Sequence, residues 1–102
     1  MDFPIKAKVT QEQDYHVIRM ILTHPMQSGQ QKDDGGNLIP PHYIEELTCT
    51  KNDVQVFTAF WGPSIAANPY LAFRLKNAKS GEKLKISWQD NLGMAGEKII
   101  NI

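Results

Sequence analysis

Lys83-Leu84-Lys85-Ile86-Ser87-Trp88-Gln89 alternates without a break. Leu84, Ile86 and Trp88 share one face, and Lys83, Lys85, Ser87 and Gln89 share the other. Successive side chains on a strand point to opposite faces, so this stretch reads as a strand with one side in a core. Leu71, Phe73 and Leu75 repeat the pattern opposite Arg74 and Lys76. Upstream, His16, Ile18, Met20 and Leu22 share a face, with Val17, Arg19, Ile21 and Thr23 opposite. Further strands are expected over Lys6 to Thr10, Tyr43 to Thr50, Val54 to Trp61 and Glu97 to Ile102. Lys51-Asn52-Asp53 is short enough for a hairpin, and Ser80-Gly81 and Asn91-Leu92-Gly93 tolerate positive φ. About seven short strands in one chain of 102 residues predict an all-β fold, an immunoglobulin-like antiparallel β-sandwich of two sheets. It is read as a single domain over residues 1–102. One cysteine rules out the intersheet disulfide of antibody domains, leaving Trp88 or Trp61 to fill the space between sheets.

Hydrophobic residues make up 41% and charged residues 22%, a globular rather than a disordered composition. Eleven basic and eleven acidic residues cancel to a formal net charge of zero. That balance points away from nucleic acid as a partner. It also removes the repulsion that keeps proteins apart, which suits a chain that lives in a complex. Met1-Asp2-Phe3-Pro4-Ile5-Lys6 lacks the apolar stretch of a secretory signal, so no export address of its own is expected. No run approaches the ~20 apolar residues of a membrane helix.

One connection is too long for a turn. Met26 to Pro41 exceeds the ~12–15 residues common in compact domains, and such loops are often functional. Asp34-Gly35 is placed to close a small hairpin within it. Two strands are apolar on both faces. Val54, Val56 and Phe60 oppose Phe57, Ala59 and Trp61, while Val17 and Ile21 oppose Ile18, Met20 and Leu22. A sandwich strand needs one apolar face for its own core, and a second asks for cover from elsewhere.

Reactive chemistry is thin. Three histidines, four methionines and one cysteine would satisfy a copper census, but no His or Met lies near Cys49. His24 and Met26 flank Pro25, and two ligands do not make a metal site. The preferred reading has His24 hydrogen-bonded in a loop and Met26 packed on apolar surface. Cys49, between Thr48 and Thr50 in a strand, reads as a small buried hydrophobe. Ser64 lacks the turn of a nucleophile elbow. Glu45 and Glu46 are adjacent and point to opposite faces of a strand. Asp33-Asp34-Gly35 lacks the later ligands of a calcium loop. No catalytic residue, metal or cofactor is assigned.

What stands out instead are Thr23-His24-Pro25-Met26-Gln27-Ser28-Gly29 and Trp61-Gly62-Pro63-Ser64 with Asn68-Pro69-Tyr70. Proline fixes the backbone where each strand ends. Trp, Tyr, Met and Arg are the types enriched in interface cores. Arg19, His24, Met26, Trp61, Pro63, Asn68 and Tyr70 are therefore expected to form a partner-binding rim.

At these residues the sequence resembles the SoxZ family, the Z subunit of the Sox sulfur-oxidation carrier. The resemblance runs through Arg19, His24-Pro25-Met26 and Gly29, then Leu38-Ile39-Pro40 and His42-Tyr43-Ile44. It continues in Trp61-Gly62-Pro63-Ser64, Asn68-Pro69-Tyr70, Phe73 and the strand from Gly81 to Asp90 with Trp88. The resemblance implies an immunoglobulin-like scaffold that is not an enzyme. It implies a heterodimer with SoxY, whose cysteine on a glycine-rich C-terminal arm carries the sulfur intermediates. Other enzymes of the pathway would meet the complex transiently. It also implies a periplasmic protein, exported with SoxY on the partner's signal. The rival reading is a small metal-binding or redox enzyme on the same scaffold. A superoxide-reductase-like iron site would need more histidines than the three here. An accessory module of a larger enzyme is a third.

Overall fold

A computed structural model describes residues 3–102; Met1 and Asp2, and their share of the expected domain, lie outside the described residues. The chain forms seven strands and, among the described residues, no helix. They are β1 (Ile5–Gln11), β2 (Tyr15–Leu22), β3 (Ile44–Lys51), β4 (Val54–Phe60), β5 (Tyr70–Lys76), β6 (Lys83–Asp90) and β7 (Ala95–Asn101). All pairings are antiparallel. One sheet has the order β1-β2-β5 and the other β4-β3-β6-β7. This is the immunoglobulin-like sandwich that the alternation predicts, with strand ends within two residues of expectation.

Register explains which side chains meet. Ile18 sits between Val9 and Phe73, and Met20 between Ala7 and Leu71. Across the gap, Leu47 pairs with Trp88 and Cys49 with Ile86. These inward rows supply the core, in which Ile18, Ile44, Leu47, Cys49, Leu84 and Ile86 are wholly buried. Truncating one such aliphatic side chain to Ala costs about 2–5 kcal/mol. Trp88 fills the space between the sheets, while Trp61 is half-buried at its margin. Along one edge Lys98 Nζ donates to the Ile5 carbonyl at 2.9 Å. Along the other the rings of Phe57 and Phe73 stack with centroids 4.5 Å apart.

The turns follow local chemistry. Asn52 and Asp53 both have positive φ, 52° and 64°, as a two-residue hairpin of the tightest type requires. The long connection is indeed a small ribbon, with bridges Gln27–His42 and Lys32–Leu38. Its tip is closed by Asp33 rather than Asp34. Asp33 Oδ1 accepts the amides of Gly35 and Asn37, each at 2.9 Å. The left-handed position falls one residue later than expected, on Gly36 (φ 82°). The second apolar faces are also real: Val54, Phe60 and Ile21 point outward and are exposed.

Candidate functional site

The ends of β2 and β6, the starts of β3 and β5 and the two proline-marked segments meet at one end of the sandwich. The segments are stitched together by backbone and by the Asn68 side chain. His24 N–H donates to Asn68 Oδ1 at 3.1 Å and Asn68 N–H donates to the His24 carbonyl at 3.0 Å. Leu22 N–H donates to the Pro69 carbonyl at 3.1 Å. Asn68 closes this clamp with φ 52°, a conformation that Asn tolerates better than most residues. The clamp turns the His24 ring inward, continuing the buried row of β2.

There the ring enters a polar knot. Its Nδ1 accepts the Met26 amide at 3.1 Å. That assigns the ring proton to Nε2, which donates to Asp90 Oδ2 at 3.1 Å. His42 Nε2 donates to the same oxygen at 2.7 Å. Asp90 Oδ1 accepts the Leu92 and Met94 amides at 3.0 and 2.9 Å. Met26 (φ 47°) offers its sulfur to the Ile44 amide at 3.3 Å. Asn91 fastens the approach to β3, with its Oδ1 accepting the Tyr43 amide at 2.8 Å and its Nδ2 donating to the Pro41 carbonyl at 2.9 Å. Phe3 and Trp88 close over the imidazole, at 4.9 and 5.5 Å between centroids. Trp88 in turn needs Gly96 opposite it, where a Cβ would lie 2.6 Å from the indole Nε1.

Burial lowers the pKa of His24, against the pull of Asp90. Burial alone would raise Asp90. The hydrogen bonds from His24, His42, Met94 and Leu92 outweigh it and hold the carboxyl below its ordinary range. The knot is therefore an ionised carboxylate gripped by the neutral His24 imidazole, the His42 ring and two amides.

Three ligand atoms from His24, His42 and Asp90 lie within 4.8 Å of one another, the spacing of a metal centre. The hydrogen bonding argues against that use. A neutral imidazole that ligates through Nε2 carries its proton on Nδ1, and His24 Nδ1 faces the Met26 N–H instead. The donor set fits a structural knot, and the site offers no nucleophile.

Of the expected rim residues, His24 and Met26 are corrected: they are buried, at 0% and 2% exposure, and present no surface to a partner. Each is drawn inward by a buried hydrogen-bond partner. Trp61 is half-buried, and Pro63 and Asn68 are exposed in the loop between β4 and β5. Arg19 and Tyr70 are exposed on the outer face of the three-stranded sheet. The seven thus do not form one rim. Sequence reading gave no role to His42 or Asp90. A signal was available, because alternation carries Leu84, Ile86, Trp88 and then Asp90 onto the buried face, and a buried carboxylate requires partners.

The family model described as Sulphur oxidation protein SoxZ matches residues 5–100. The chain belongs to the SoxZ family. No curated protein matches it. Membership gives this SoxZ-family chain a role in the Sox sulfur-oxidation system. Its single thiol is set apart from such chemistry. Cys49 is fully buried in β3, and burial pushes its pKa up to about 12. A thiol held neutral and away from solvent is neither a nucleophile nor a carrier.

Proposed function

We propose that this SoxZ-family chain is the non-catalytic scaffold subunit of a heterodimeric sulfur carrier. The observation that carries the reading is the state of Cys49. A sulfur-oxidation family member whose one thiol is buried and neutral must leave covalent sulfur chemistry to another chain. The partner is a SoxY-type subunit with its cysteine on a flexible arm. The scaffold anchors that arm, so that carried groups reach other Sox enzymes at the raised effective concentration a tether provides. The pair works in the periplasm, where it is exported together. Neither cofactor nor metal enters this role.

Co-expression with the cognate SoxY-type subunit is expected to yield a one-to-one complex. After exposure to thiosulfate and the Sox enzymes, mass spectrometry should find adducts on the partner cysteine and an unmodified Cys49. Adducts on Cys49, or a chain that stays monomeric beside its partner, would overturn the reading. Stoichiometric copper or iron in the purified protein would favour the metal-enzyme alternative.

A further inference from the structure

The zero net charge of the chain conceals a segregated surface. Register places Lys6, Ile21 and Tyr70 side by side on the outer face of the β1-β2-β5 sheet, then Lys8, Arg19 and Ala72, then Thr10, Val17 and Arg74. Lys76 lies beside Tyr15 at the end of this surface. Five cations thus share a face whose strands contribute no carboxylate to it. None of the five makes an ion pair among the described residues. On the other sheet the outward Lys85 is answered by Glu97 at 3.4 Å. Glu12, in the β1–β2 turn, borders a groove of this face with Tyr15, Arg19 and Arg74 but pairs with neither arginine among the described residues. The cations are also positioned. Arg19 donates to Thr10 Oγ1 at 3.3 Å, and Arg74 lies 5.0 Å above the Tyr15 ring.

Between the charges lies apolar surface. Ile21 is 43% exposed and Tyr70 60%. They border a groove of about 200 Å³ together with Lys6, Lys8, Arg19 and Met20. This is the second apolar face of β2, and none of the described residues covers it. Tyr and Arg around an apolar centre, with lysines at the margin, is the composition of a protein interface. A nucleic-acid backbone would use the cations and leave Val17, Ile21 and Tyr70 idle.

We propose that this face, centred on Arg19, Ile21 and Tyr70, is the docking surface for an acidic face of the sulfur-carrying partner. The assignment rests on the heterodimer reading above. Strand spacing and rise give the sheet face a footprint of roughly 300 Å², against the ~800 Å² per partner of a stable pair. Contact therefore extends along the chain from Tyr70 onto the exposed loop of Pro63 and Asn68. Charge complementarity speeds encounter and fixes orientation, and salt weakens it.

The test measures association of the full chain with the cognate SoxY-type subunit by surface plasmon resonance at low and high salt. The Lys8→Glu/Arg19→Glu double variant should slow association by about tenfold or more at low salt. Tyr70→Ala should speed dissociation. Lys85→Glu, on the opposite face, should leave both rates unchanged. All these positions are exposed, and matching thermal melts check that the variants are folded. A wild-type chain that ignores the partner removes the heterodimer reading and this assignment with it. A wild-type complex indifferent to the charge reversals removes the assignment alone. So does retention on duplex DNA, or on vesicles of anionic phospholipid, that the double variant abolishes while partner binding is unchanged.

Discussion

His16 and His24 stand at opposite ends of one row. His16, Ile18, Met20, Leu22 and His24 all turn inward, and all are at most 6% exposed. Between the two histidines lies the apolar core. At one end, both ring nitrogens of His24 are bonded, one to an amide and one to a carboxylate. At the other, neither ring nitrogen of His16 has a partner among the described residues. Burying a polar group costs free energy unless hydrogen bonds replace the lost water. The same residue type on the same row is thus a rivet at one end and a cost at the other. Burial alone does not tell the two apart; the loops that arrive at each end do.

Removing the anchor of the bonded end should have the largest effect. Asp90→Ala strips the acceptor from His24, His42 and the Leu92 and Met94 amides together. Removing one partner from a buried charged network costs roughly 3–5 kcal/mol. That is a large part of the ~5–15 kcal/mol that holds a domain folded. Urea titration should show a collapsed midpoint; a midpoint within error of the wild type would mean the knot is ornamental. Gly96→Ala attacks the same end from outside. The new Cβ would meet the indole of Trp88, the lid of the His24 ring. Overpacking of this kind costs about 1–3 kcal/mol. Near-ultraviolet circular dichroism should report the displaced tryptophan.

The knot also sets a pH response. Burial lowers His24 below its ordinary 6.5, so the unfolded chain takes up that proton before the folded one does. Stability from this group is complete above pH 6.5 and falls as the pH drops below it, by at most about 1.4 kcal/mol per pH unit. Asp90, held below its ordinary 3.8, adds a second loss below that value. His24→Leu should flatten the first limb of a stability–pH curve and shrink the second, because it removes one of the donors that hold Asp90 down. Persistence of the upper limb in that variant would assign it to another group.

Strands were legible because alternation is local. Leu84, Ile86 and Trp88 declare their face within seven residues, and Asn52-Asp53 declares its turn within two. The knot was not, because it joins residues far apart in the chain; His24 and Asp90 are separated by 66 positions. Nothing local to His24 distinguishes a rim residue from a buried one. The basic face escaped for a related reason. Lys6, Lys8, Arg19, Arg74 and Lys76 come from three strands, and a net charge averages over the very register that assembles them.

The unbonded end gives the smallest effect and the sharpest contrast. His16 faces Gln11 and Leu75 across the sheet and buries two ring nitrogens that find no partner among the described residues. Leaving a buried polar atom unpaired costs roughly 1–3 kcal/mol, whereas an apolar group of similar shape is neutral or better. His16→Leu should therefore leave the fold intact and raise stability by about 1 kcal/mol, read as a higher urea midpoint at unchanged slope. The same substitution at His24 should do the opposite, since it orphans the Met26 amide and removes a donor from Asp90. Two identical changes on one row with opposite signs would establish that partners, and not burial, decide what a core histidine is worth. A loss of stability at both positions would mean that His16 has a role the hydrogen-bond geometry does not display.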